Sequence, residues 1–174
     1  MDVERAVMER YSVRSFQEKD IPDHIIEKIK KAIWISPSAD NRQPYKFIFI
    51  KDKTTKERLV KEGKTYRFVN QAPLVIVALA DPSQAYPYIG RERQQVYLID
   101  IGIALSQANL VATENGIGGC WVIVFDEDKV REILNIPKKY KVIALFPMGY
   151  SNTKRGAIYR KSEDELFSFE KFTE

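Results

Sequence analysis

From about Arg91 to Asn115 the chain runs without a proline, and Leu98, Ile101, Leu105, Ala108 and Ala112 recur at helical spacing. Ile99, Ile103 and Leu110 widen the apolar surface beyond one stripe. A helix apolar on more than one side must be buried at the centre of something, so the rest of the chain has to supply layers around it. Those layers are readable. "KFIFI" (46–50), "LVIVALA" (74–80), "GCWVIVF" (119–125) and "YKVIALFPMGY" (140–150) read as four strands, the second so continuously apolar that both its faces are covered. Helices are expected over 2–10, over "DIPDHIIEKIKKAIWI" with Asp20 as cap and Pro22 in the first turn, near 54–62, and over 126–135. Gly116 is placed to close the long helix, because glycine accepts the left-handed cap conformation. The expected class is α+β, one domain over 1–174.

The tail, 151–174, has little periodicity yet carries Ile158, Tyr159, Leu166, Phe167, Phe169 and Phe172. A monomer leaves such residues exposed or folds them back on itself. An arm wrapping a neighbouring subunit satisfies them, and with the broad central helix it predicts a homodimer.

Charge and composition narrow the function. The net charge is +4, but lysines and arginines are interspersed with nearly as many acids and form no long basic block, which argues against nucleic acid as a partner. No apolar run approaches the ~20 residues of a membrane span. The charged amino terminus resembles neither a signal nor a transit peptide, so a cytoplasmic protein without a membrane partner is the expectation. The single cysteine, Cys120, excludes an intramolecular disulfide framework and a multi-cysteine metal site. His24, the only histidine, lies on the polar side of its helix, so no Ser–His or Cys–His pair and no metal centre is expected. "GIGG" (116–119) follows a helix and precedes a strand, the reverse of a dinucleotide-binding turn.

What remains suits binding rather than proton transfer. If "RYSVRSF" (10–16) is extended, Arg10, Ser12 and Arg14 point to one face with the arginine Cα atoms ~13 Å apart; if it is helical, positions four apart also meet on one face. The extended spacing fits a long anionic ligand held at both ends. "SPSADNRQPY" (36–45) places Ser38, Asn41 and Gln43 in a proline-bounded loop, where amides match a heterocycle with mixed donor and acceptor edges. Arg160 and Lys161 offer a phosphate grip in the tail.

Taken in order, Arg-x-Ser-x-Arg-x-Phe, "PSADNRQPY", "YLIDIGIALSQANLVATENGIGGCWV", "FPMGY" and a basic tail resemble the flavin-dependent nitroreductase family nearly end to end. The resemblance implies a mixed α/β sandwich with a central, mostly antiparallel sheet flanked by helices, an intertwined homodimer, and FMN at the subunit interface. It implies that Arg10 and Ser12 hold the phosphate and ribityl end while Arg14 reaches the pyrimidine edge. It further implies that Pro37, Ser38, Asn41 and Gln43 of the other subunit line the ring, that backbone groups of Trp121–Val124 face it, and that Arg160 and Lys161 complete the phosphate site. No catalytic side chain is named, since the flavin carries hydride from NADH or NADPH to a small-molecule acceptor, nitroaromatic or quinone. Three features depart from the family pattern, the first being that the chain is short for the family, which implies a trimmed substrate lid. Ile123 and Val124 stand where many relatives have a Gly-Gly pair, and Ser162 follows Lys161 where proline is common. The alternatives are an FMN-binding or storage module without turnover, a specialised flavin oxidase or dehalogenase, and a basic interaction protein without cofactor.

Overall fold

The computed structural model describes residues 2–87 and 95–173. Four strands, β1 (Tyr45–Ile50), β2 (Leu74–Ala80), β3 (Gly118–Gly119) and β4 (Lys141–Gly149), form one sheet in the order β1-β2-β4-β3, every neighbour antiparallel. Helices α1 (Val3–Glu9), α2 (Asp23–Trp34) and α5 (Val96–Glu114) lie to one side; α3 (Lys53–Lys61), α4 (Phe68–Gln71) and α6 (Glu127–Ile133) lie to the other, and a short α7 (Glu163–Leu166) sits in the tail.

The inner strand β2 explains the three layers. Its side chains alternate between faces. Leu74, Ile76, Ala78 and Ala80 pack with Ile25, Ile29 and Ile33 of α2 and Ile101, Leu105 and Ala108 of α5. Val75, Val77 and Leu79 pack on the opposite face with Leu59, Val69 and Val130. Every residue of β2 is therefore buried, which is why its sequence is continuously apolar although its neighbours are antiparallel.

α5 passes through the core as expected from its breadth, and its expected start at Arg91 lies outside the described residues. By length and hydropathy it could cross a bilayer, but Tyr97, Ile101, Ala104, Leu105, Ala108 and Ala112 are buried against sheet and helix. Its end is a Schellman motif. Gly116 sits at φ 74°, Gly116 N donates to Thr113 O at 3.0 Å, and Ile117 N donates to Ala112 O at 2.9 Å. Ile117 is itself buried beside Ala112 in the same cluster.

Several expectations need correction. α2 starts at Asp23 with Pro22 at its N-cap and no side-chain cap, so Asp20 does not cap it. α4, four residues long, had no sequence signal. The regular ladder of the third strand covers only Gly118–Gly119, and beyond it "GCWVIVF" stays on β4 irregularly, through Cys120 N donating to Pro147 O at 3.2 Å and a mutual bridge between Val122 and Leu145. Gly119 lies so close to the Phe146 ring that a Cβ there would come within 2.4 Å of it, which accounts for the glycine, and past Val122 the chain leaves β4 with Ile123 and Val124 exposed.

Candidate functional site

The Arg10–Phe16 segment is extended, and it is pinned along its length. Ser12 forms a parallel bridge with Gly119, and Val13 N donates to Gly119 O at 3.2 Å. Farther on, Phe16 bridges Ser151, Gln17 N donates to Tyr150 O at 2.9 Å, and Tyr11 donates its hydroxyl proton to Thr153 O at 2.6 Å. Val13 is 1% exposed and packs so closely on Gly118 that a Cβ there would meet Val13 Cγ2 at 2.3 Å. This close approach explains the glycine. With Val13 turned inward and Tyr11 half-buried, Ser12 and Arg14 face solvent, and Arg10 is half-exposed beside them.

The two arginines have no carboxylate partner among the described residues. Arg14 reaches only Ser12 O, at 3.5 Å, and Arg10 borders a small cavity of about 150 Å³ with Tyr11, Gly116 and Ser151. Two cations left unneutralised at a fixed spacing are what an anionic ligand requires. The bridge at Ser12 also brings this face beside the 119–124 segment. There Trp121 is held edge-on to Phe146, at 5.3 Å between centroids and 79° between planes. The backbone of Val122 is paired with Leu145 in both directions, whereas the N–H groups of Ile123 and Val124 donate to no described backbone group. Ile123 is 74% exposed and Val124 is 54% exposed, so an apolar rim borders these open donors. Cys120, behind them, is buried.

The loop after α2 lies apart in the same chain: among the described residues no hydrogen bond or ion pair joins it to Arg10–Phe16. Its ends are fixed by Ser36, which donates to Ile33 O at 2.7 Å and contacts the Tyr45 hydroxyl. Between them Asp40, Asn41 and Gln43 all take left-handed φ values, 53°, 51° and 48°. Non-glycine residues rarely adopt that conformation, and a run of them marks a loop whose shape is set by its surroundings. Gln43 N donates to Ser38 Oγ at 2.9 Å, while its side-chain amide donates to Asn41 O and Oδ1. Pro37, Asn41 and Gln43 are exposed and Ser38 half-buried, so the loop presents its amides outward. One residue that the sequence reading missed ties this loop to the core: Asp100 of α5, buried, accepts from Ala39 N at 3.0 Å. A carboxylate four residues into a helix whose buried face is mostly apolar was the signal available.

Arg160 and Lys161 stand outside both groups. Arg160 donates to Tyr159 O, Lys161 lies 4.0 Å from Glu165, and both are exposed. A cavity of about 990 Å³ also lies elsewhere, between Phe16–Asp20 and α3–α4. There burial pulls the Lys56 ammonium below its ordinary range, and it donates to Ala72 O at the end of α4. His24 is exposed, and the described residues contain no cluster of metal-ligating side chains.

The chain is a three-layer α+β sandwich with an arginine-bearing extended segment laid along β3. The profile of the Nitroreductase family matches residues 7–63 and 60–150, and the chain belongs to that family. A protein of Archaeoglobus fulgidus, provisionally named an NADH dehydrogenase/NAD(P)H nitroreductase, is 31% identical over 159 residues, covering 87% of this chain and 86% of its own. Among solved structures, a nitroreductase family protein from Clostridium novyi NT superposes with a TM-score of 0.80 at 32% identity, covering 87% of this chain and 86% of that one. An FMN-dependent nitroreductase from Clostridium difficile R20291 superposes with a TM-score of 0.81 at 27% identity over 96% and 98% of the two chains. The family and the α+β fold expected from the ordered motifs are thereby established.

Proposed function

We propose that this chain is an FMN-dependent NAD(P)H oxidoreductase that works as a homodimer on nitroaromatic, quinone or related acceptors. The observation that carries the reading is the face of Arg10, Ser12 and Arg14, extended, solvent-facing and without an acidic partner, beside the open N–H groups of Ile123 and Val124. The residues fit the cofactor. Arg10 and Ser12 bind the phosphate and ribityl oxygens, and Arg14 places a fixed cation at the pyrimidine edge, where it stabilises negative charge. Ile123 and Val124 donate backbone N–H groups toward the ring, and their side chains with Trp121 keep water from one side. When bound, FMN would supply the two-electron chemistry for ping-pong hydride transfer between NADH or NADPH and the acceptor. The protein then needs only to position and polarise.

The loop bearing Pro37, Ser38, Asn41 and Gln43 completes the site from the partner subunit, which accounts for its separation from Arg10–Arg14 within one chain. Arg160 and Lys161 reach a phosphate only if the tail moves onto a neighbour. The dimer is supported by exposed Val3, Met8, Trp34, Ile35 and Ile99, and by Phe167, Phe169 and Phe172, the last two 90% and 85% exposed. Nicotinamide oxidation in the presence of a quinone or nitro acceptor, by protein loaded with FMN, tests the activity. Failure with both nicotinamides defeats the reductase. A second reading, an FMN-binding module without turnover, is favoured by the exposed Ile123 and Val124, which narrow the approach to the ring. Flavin that dithionite reduces and nicotinamides do not supports that module.

A further inference from the structure

We propose that Asp100 is a positioning residue for cofactor binding: its carboxylate holds Ala39, and through it the backbone that carries Ser38, Asn41 and Gln43, in the shape the flavin requires. This rests on the FMN reading above. Three observations meet here. Asp100 is 2% exposed, on a helix whose other buried residues are apolar except for Tyr97 and Asn109. Its Oδ1 accepts from Ala39 N at 3.0 Å, and its Oδ2 is buried without a hydrogen-bond partner among the described residues. The loop it holds contains three non-glycine residues at left-handed φ, and its remaining side-chain hydrogen bonds are internal, such as Gln43 N to Ser38 Oγ.

A buried carboxylate with a single backbone donor is a poor stabiliser. Removing it from water costs more than one hydrogen bond returns, so an apolar side chain of similar size serves the fold as well or better. What the carboxylate does accomplish is local. Ser36 and Tyr45 fix the ends of the loop, and Asp100 is the core side chain that grips its middle. Releasing that grip lets Asp40, Asn41 and Gln43 relax from their left-handed conformations, and the outward-facing amides lose their arrangement. The role therefore has a distinctive signature: loop order and cofactor affinity fall while global stability does not.

Two variants test it. D100L removes the acceptor, whereas D100N keeps one carbonyl oxygen for Ala39. For wild type and each variant we would measure the melting temperature without cofactor, the rate of tryptic cleavage after the exposed Arg42, and the FMN dissociation constant of the apoprotein. D100L is expected to melt at or above the wild-type temperature. Its cleavage at Arg42 should accelerate and its FMN affinity should drop by about ten- to a hundredfold, what losing a hydrogen bond to a charged group is worth. D100N should lie nearer wild type on both. D100L with wild-type cleavage and affinity overturns the proposal. So does a D100L that fails to fold or loses FMN only in step with its melting temperature, or a D100N as impaired as D100L. A wild-type protein that takes up no FMN defeats the flavin reading itself, and cleavage at Arg42 then still decides whether Asp100 holds the loop.

Discussion

The inner strand β2 and the C-terminal arm are both rich in apolar residues, yet they stand at opposite extremes of burial. All seven residues of β2 are buried, and the strand is hydrogen-bonded on both edges. In the arm, Tyr159, Leu166, Phe167, Phe169 and Phe172 are exposed by 53% to 90%, although α7 is locally well formed, with Ser162 and Glu165 making a capping box. Local order is thus not what separates them. β2 finds its partners within one chain, with α2 and α5 on one face and α3, α4 and α6 on the other, while the arm has no such surface. Apolar area of this extent left in water points to a partner, and the same contrast recurs on α5, where Ile101 is buried and Ile99 is 64% exposed two residues earlier.

Substitutions in the two regions should therefore fail in different ways. Ile76→Ala, in the centre of β2, leaves a cavity between α5 and the sheet and should cost about 2–5 kcal/mol of folding stability in chemical denaturation. A loss under 1 kcal/mol would mean that the strand is not the centre of the core. Replacing Phe167, Phe169 and Phe172 together by alanine should leave the unfolding midpoint of the isolated chain almost unchanged. It should weaken dimerisation in sedimentation by about a hundredfold or more, since each buried phenylalanine contributes roughly 1.5–3 kcal/mol. If that triple variant unfolds early and stays dimeric, the arm belongs to its own subunit and the comparison collapses.

Smaller effects sharpen the site. Arg10→Ala and Arg14→Ala each remove a cation that has no carboxylate partner among the described residues, and each should weaken FMN binding about ten- to a hundredfold without lowering stability. The loss should shrink as salt rises, because exposed charges are screened. The smallest effect belongs to Asp81, which closes β2 beside the loop. The Ser83 hydroxyl, donating at 2.5 Å, and then Lys139, at 3.2 Å, hold its carboxyl below the usual range despite its burial. A folded-state pKa below the unfolded one adds stability that is full above the ordinary carboxylate range and vanishes as pH falls through the depressed value. Asp81→Asn should accordingly cost about 1 kcal/mol at pH 7, and that cost should fall away as acid takes the folded protein through the depressed value. A deficit that persists there would trace to packing rather than charge.

Much of this was legible in the chain. The continuous run 74–80 revealed a strand covered on both faces, the width of the 96–114 stripe revealed a central helix, and Gly116 revealed its end. The extended course of Arg10–Phe16 could be read as one option, and the pairing of Ser12 with Gly119 decides it. Less legible was anything set by contacts distant in sequence. "GCWVIVF" has the composition of a strand, but its regular ladder with β4 covers only two residues and continues irregularly as far as Val122. Asp20 has the chemistry of a cap, yet the chain turns into α2 only at Pro22. Nothing local to α5 indicates that the Asp100 carboxylate takes its hydrogen bond from Ala39, 61 residues away.

The central claim is that the Arg10–Ser12–Arg14 face holds a flavin. The most direct test is the visible spectrum of the purified protein, followed by titration of FMN into apoprotein alongside the R10A/R14A variant. The account predicts a yellow protein that binds about one FMN per chain, with uptake lost in the double variant. A colourless protein that ignores added FMN, or a double variant that binds it as tightly as wild type, would contradict it.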